Sequence, residues 1–176
     1  DQLQHWHGLL DRDRQLLECA AVLHDIGWAL CHPTGSGHHK ATARLIREQK
    51  WSALEPDEVA IVAETARYHR KSLPDIGHHS DYARLDERQR HLVNYLAAFL
   101  RIADGLDRRH VQRVDHVTSW FAPGGLLITA HSAVEITVEL SAAEKKADLL
   151  RRLIPMGIHF QARTREGIPA MEPRRP

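Results

Sequence analysis

Apolar residues recur at helical spacing through residues 12–106 and alternate in short runs after residue 110. The pattern predicts a helix over 12–30. Asp11 or Asp13 offers a cap for its first N–H groups. The run Leu16, Leu17, Cys19, Ala20, Ala21, Val22, Leu23 is apolar almost all round, which predicts a central, buried helix. Residues 31–37 carry turn chemistry. A second helix is expected from His38 to about Gln49. Glu55-Pro56-Asp57-Glu58 opens a third, because proline suits a first turn and acids suit its positive end. Its inner stripe is Val59, Val62, Ala63 and Ala66, leading to His69. After a loop over 71–85, Asp86 and Gln89 form a capping box for the fourth helix. The stripe there is Leu92, Val93, Leu96, Ala97 and Leu100, followed by Ala103 and Asp104.

Beyond residue 110 the period changes. Val111–Trp120, Leu126–His131 and Val134–Leu140 read as strands. Ser141 caps a helix to about Ile154, Gly157–Thr164 reads as a last strand, and the proline-rich tail reads as irregular. The fold class is mainly α: a helical domain over 1–110 followed by a small α+β domain over 111–176. With 176 residues, 43% of them apolar, the chain can bury a core. A net charge of +1 gives no footprint for nucleic acid or a membrane surface. No apolar run approaches the ~18 residues that would span a bilayer. Cys19 and Cys31 lack metal-type spacing and read as thiols of a cytoplasmic protein.

The chemistry lies in the histidines, 14 in all, and in two aspartates. His24 shares the inward face of Leu17 and Ala20, and Asp25 follows it. His69 is in phase with Val62 and Ala66, and Asp104 with Ala97 and Leu100. A carboxylate on a core stripe costs several kcal/mol unless it is paired or metal-bound. One resolution is local: hydrogen-bonded core histidines, and an aspartate paired with Arg101, Arg108 or Arg109. The other is a shared divalent cation, and mixed N/O donors suit Mn, Mg, Fe or Zn.

Four blocks stand in series: Leu23-His24-Asp25-Ile26-Gly27; Ser36-Gly37-His38-His39-Lys40; Ala66-Arg67-Tyr68-His69-Arg70-Lys71-Ser72-Leu73-Pro74; and Leu100-Arg101-Ile102-Ala103-Asp104-Gly105-Leu106-Asp107-Arg108. The first resembles the signature of the HD superfamily of metal-dependent phosphohydrolases. Together they resemble the C-terminal region of the exopolyphosphatase/guanosine pentaphosphate phosphohydrolase family, over about residues 12–163. The resemblance implies an HD-type helical domain whose metal ligands are His24, Asp25, His39, His69 and Asp104. Asp25 would bridge metals or orient the nucleophile. His38 competes with His39, and helical phase is compatible with either. Lys40, Arg67, Arg70 and Lys71 would face phosphate oxygens.

Two features depart from the pattern. The superfamily's early histidine would fall before residue 1, with His5 and His7 too late for it. The Gly-rich phosphate loops of the parent enzymes belong to actin/acetate-kinase-type domains, which would lie upstream. The chain opens on Asp1 rather than Met, as a fragment would. The expected function is thus the C-terminal portion of an exopolyphosphatase-type phosphoanhydride hydrolase, acting on polyphosphate or guanosine pentaphosphate, in which this portion aids polyphosphate binding. Alternatives are a self-sufficient nucleotide phosphohydrolase and a non-catalytic binding or homodimerisation module, in which the metal is absent.

Overall fold

The computed structural model describes residues 1–31 and 33–164. Its helical part contains α1 (Gln4–His7), α2 (Asp11–Leu23), α3 (Trp28–Cys31), α4 (His38–Glu48), α5 (Pro56–Arg67), α6 (Ser80–Ala83) and α7 (Glu87–Leu106). The remainder contains β1 (His116–Ala122), β2 (Gly125–Ser132), α8 (Thr137–Lys146), α9 (Leu150–Leu153) and β3 (Gly157–Thr164). This is the mainly helical architecture with a small α+β part that the sequence pattern implies.

The interior helix is α5. Ile61 to Ala66 are buried without interruption, and α5 touches α2, α4 and α7. Small side chains allow this: Ala63 and Ala66 let neighbouring helices approach closely, while Val62 fills the gap between them. The facing stripe of α7 is Val93, Leu96, Ala97 and Leu100, as its periodicity predicts. The start of α7 is fixed by its capping box. Asp86 accepts from the Gln89 N–H at 2.7 Å, and the Gln89 side chain accepts from the Asp86 N–H at 2.8 Å. Two orphan donors at the helix start are thereby satisfied.

Three expectations are corrected. The first long helix stops at Leu23 instead of running to residue 30. There the Thr42 hydroxyl donates to the His24 carbonyl at 2.9 Å and accepts the Gly27 N–H at 2.9 Å. Side-chain bonds from α4 thus replace the next helical turn. Nor is α2 central: Leu16 and Ala20 are buried, but Val22 is 80% exposed. An apolar run lying on all sides of a helix does not show that all sides are covered.

The third correction is the Val134–Leu140 strand, most of which lies at the start of α8. Alternation of Val134, Ile136, Val138 and Leu140 suggests period 2, but Ile136, Ala143 and Ala147 are the buried apolar positions. Their spacing of seven and four is helical, and packing against α7 selects it.

The sheet has the order β1-β2-β3. β1 and β2 form an antiparallel hairpin with Val117 opposite Ala130, and β3 runs parallel to β2 with Ile158 opposite Leu126. A parallel neighbour needs a crossover, and α8 and α9 supply it. Leu126, Ile128 and Ala130 alternate on the buried face of β2. The crossover matters for function because it lays α8 along α7, beside Asp104. The expected irregular tail after residue 164 lies outside the described residues. Among the described residues no helix is long and apolar enough to cross a membrane.

Candidate metal and phosphate site

Two histidines stand just beyond the ends of long helices, His24 after α2 and His69 after α5. The last carbonyls of a helix have no intrahelical partner. Each ring reaches back three residues to such a carbonyl. His24 Nδ1 lies 2.6 Å from the Ala21 oxygen, and His69 Nδ1 lies 2.7 Å from the Ala66 oxygen. His38, at the start of α4, does the same with the Gly35 carbonyl at 2.8 Å. A carbonyl only accepts, so each Nδ1 carries a proton, and in the neutral ring each Nε2 presents a lone pair. This is the second-sphere arrangement that fixes the tautomer of metal-binding histidines.

The Nε2 atoms converge on Asp25. Its Oδ1 lies 3.0 Å from His38 Nε2 and 3.6 Å from His69 Nε2, and the two Nε2 atoms are 3.3 Å apart. Its Oδ2 lies 3.5 Å from His24 Nε2. Asp25 Oδ1 and His24 Nε2 are buried without hydrogen-bond partners among the described residues. In the neutral ring, a proton kept on Nδ1 for the carbonyl leaves none on Nε2. Burial holds His69 at a pKa of about 2, reinforced by nearby His24, Lys146 and His38, so it stays neutral. A carboxylate oxygen and two imidazole lone pairs within 4.8 Å of one another form a donor set that fits a divalent cation.

Local packing explains why it is His38 that arrives. Trp28 stacks on the His38 ring with centroids 4.9 Å apart and planes at 22°. Behind Trp28 lies Gly35, where a Cβ would fall 2.1 Å from the indole and where φ is +61°. Only glycine meets both conditions. Successive helical residues point about 100° apart, so His39 is turned away. Its ring is perpendicular to that of His38, and burial holds its pKa at about 4, with His38 and Arg70 adding to the effect. Thus His38 occupies the position at which His39 was expected.

Asp104 also lines this cleft, but it is outside the three-residue donor group. Its carboxylate pairs with Lys146 of α8. Burial, with Arg101 and Arg70 nearby, pushes Lys146 down to about 8, while Asp25 opposes the shift. Below that pH Lys146 is an ammonium.

The cleft, about 320 Å³ in volume, is bordered by Arg70, Lys71, Arg108, Lys145 and Lys146 around Asp25, His38 and His69. Of the four expected phosphate-facing residues, Arg70 and Lys71 line it and Lys40 and Arg67 do not. Arg67 lies over the Tyr68 ring and near Glu64 and Asp81. Glu64 is fully buried and is paired mainly with Arg47. Lys71 lies on the cleft wall with φ +62°, an uncommon conformation for a residue with a side chain.

Lys145 and Lys146 were not anticipated as site residues. Their signal was present in the Ile136, Ala143, Ala147 spacing, which sets the phase of α8, but the strand-like alternation before it concealed that phase.

The chain was compared with known proteins. No curated protein matches it. The family model described as Ppx/GppA phosphatase, domain III, matches residues 1–142, from the first turn to the middle of α8. That span carries His24, Asp25, His38, His69 and Asp104, and by it the protein belongs to the Ppx/GppA phosphatase family, in that family's C-terminal region.

Proposed function

We propose that this chain is the polyanion-holding, metal-binding portion of an exopolyphosphatase-type phosphoanhydride hydrolase, with polyphosphate or the phosphates of guanosine pentaphosphate as its ligand. One observation carries the reading: a cluster of three potential metal donors, Asp25, His38 and His69, lies at the floor of a cleft bordered by five cationic side chains. Asp25 Oδ1 and the Nε2 atoms of His38 and His69 would hold the ion, and His24 would stand beside the second carboxylate oxygen. Mn, Mg, Fe and Zn all accept such mixed donors. The ion would supply positive charge to a phosphoryl oxygen.

The protein's own residues account for the rest. Arg70 can grip phosphate oxygens in a planar fork, while Lys71 and Lys145 add point charges along the rim. Family membership supports the phosphatase context, and the phosphate-cradling groups of the parent enzyme are expected upstream. In this reading the chain binds long polyphosphate without releasing phosphate at enzymatic rates, roughly 1 per second or faster.

The test is binding of long-chain polyphosphate to the full chain, followed by fluorescence anisotropy across a salt series. Affinity should fall steeply as salt rises, because a polyanion releases condensed counterions when it is neutralised. Absence of binding at low salt, or binding that ignores salt, contradicts the proposal.

A further inference from the structure

Two carboxylates, Asp25 and Asp104, line the same cleft, and their surroundings differ. Asp25 faces the Nε2 atoms of His24, His38 and His69, with no ammonium or guanidinium paired to it among the described residues. Asp104, whose side chain is only 10% exposed, is already matched by the Lys146 ammonium.

The position of Lys146 is set by the way α8 is held on α7. Three contacts run antiparallel along the two helices. Arg101 makes a two-pronged pair with Asp148 at 2.8 and 2.7 Å, just past the end of α8. Gly105 meets Ala143, where a Cβ on the glycine would lie 2.6 Å from the alanine Cα. Arg109, just past the end of α7, makes a second two-pronged pair with buried Glu139 at 2.6 and 2.8 Å. Between the first two contacts, on the side of the cleft, this register sets Lys146 against Asp104. Lys146 is 21% exposed and lines the cleft with Asp25 and His69. It lies beyond residue 142, where the family match ends.

We infer that Lys146 is the built-in cation of Asp104, so that a divalent ion at Asp25, His38 and His69 is held without Asp104 among its ligands. The inference rests on the metal-centre reading above. Physically, a carboxylate with nine-tenths of its side chain out of solvent requires compensating positive charge. A fixed ammonium provides it at Asp104 without drawing on the ion supply. An ammonium has three donors, so one bound to Asp104 leaves two for a phosphoryl oxygen. Lys146 is therefore a positioning residue: it removes Asp104 from the ligand set and adds a point charge to the phosphate wall.

The experiment is a Mn²⁺ titration of the full chain after chelator stripping and desalting, by calorimetry with elemental analysis of the loaded protein. The wild type should take one Mn²⁺ per chain. Lys146→Met keeps the side-chain length without the charge and should bind that one ion about tenfold more tightly, the scale of single changes around a metal site, because Asp104 is released to face it. Asp104→Asn should cancel this gain in Lys146→Met and leave the otherwise wild-type chain within a few-fold. Lys146→Arg keeps the charge and should bind as the wild type does. If Lys146→Met does not fold, Lys146→Gln makes the same comparison. A large loss of Mn²⁺ affinity on Asp104→Asn in the otherwise wild-type chain, or no gain in a folded neutral variant, overturns the inference and leaves the metal centre standing. No ion in the wild type or in any variant overturns the centre itself, and this inference with it.

Discussion

The floor and the wall of the cleft solve the same electrostatic problem in opposite ways. On the floor, where α2, α4 and α5 meet, three ring Nε2 atoms face one carboxylate, and no ammonium or guanidinium pairs with it among the described residues. On the wall, where α7 lies along α8, each carboxylate has a cationic side chain of its own: Asp148 has Arg101, Glu139 has Arg109 and Asp104 has Lys146. The floor is incomplete without a cation and the wall is complete without one. An aspartate on the inward face of a helix is therefore not by itself a metal ligand. What distinguishes the two cases is whether a cationic side chain reaches the carboxylate first.

The largest expected effect breaks the floor. His38→Ala and His69→Ala should each weaken Mn²⁺ binding by about 100-fold or more, since even outer-sphere changes at metal sites cost 10–100-fold. His39→Ala should leave Mn²⁺ affinity within a few-fold of wild type, because His39 is turned away from Asp25. Calorimetric titration of the three variants decides it, and equal losses in all three would erase the distinction between adjacent residues of α4.

A change to the wall should act on stability instead. Arg101 is 3% exposed, and besides Asp148 it donates to the Tyr68 carbonyl at 2.8 Å. Arg101→Met should lower the unfolding free energy by about 1–3 kcal/mol, the scale for losing charged hydrogen bonds and leaving the Tyr68 carbonyl without its donor. Urea unfolding measures it, and a loss below about 1 kcal/mol would mean that α8 does not depend on this clamp.

A smaller effect separates the basic residues that line the cleft from those that do not. Arg70→Ala with Lys71→Ala should weaken polyphosphate binding by about 1–3 kcal/mol, the range for charged hydrogen bonds. Lys40→Ala should change it by less than about 0.5 kcal/mol, as expected for a surface change away from the site. Anisotropy titrations at one low salt concentration compare them. Indistinguishable affinities would reduce Arg70 and Lys71 to a solvated face.

The legible parts of the sequence were those governed by local rules. The capping box at Asp86 and Gln89, the proline and acids opening α5, and the stripe of α7 all appear where expected. The His24-Asp25 pair and His69 were recognisable because inward polar residues stand out on an apolar stripe. The choice of His38 over His39 was not legible, because it depends on Trp28 packed against a glycine with no Cβ. The partner of Asp104 was hidden for a related reason. Val134 to Leu140 alternates like a strand, and only packing against α7 converts it to helix and sets the direction in which Lys146 points. Arg67 satisfied the sequence criterion for a phosphate ligand but lies instead near Glu64 and Asp81. In each case the missing information was a contact between residues distant in sequence.

The floor itself is tested most directly by locating the ion. Crystals of the full chain soaked in Mn²⁺ and measured by anomalous diffraction should show a peak touching Asp25 Oδ1, His38 Nε2 and His69 Nε2, with Asp104 still on Lys146. A peak elsewhere, or none with the three side chains bridged by water, would contradict the metal centre.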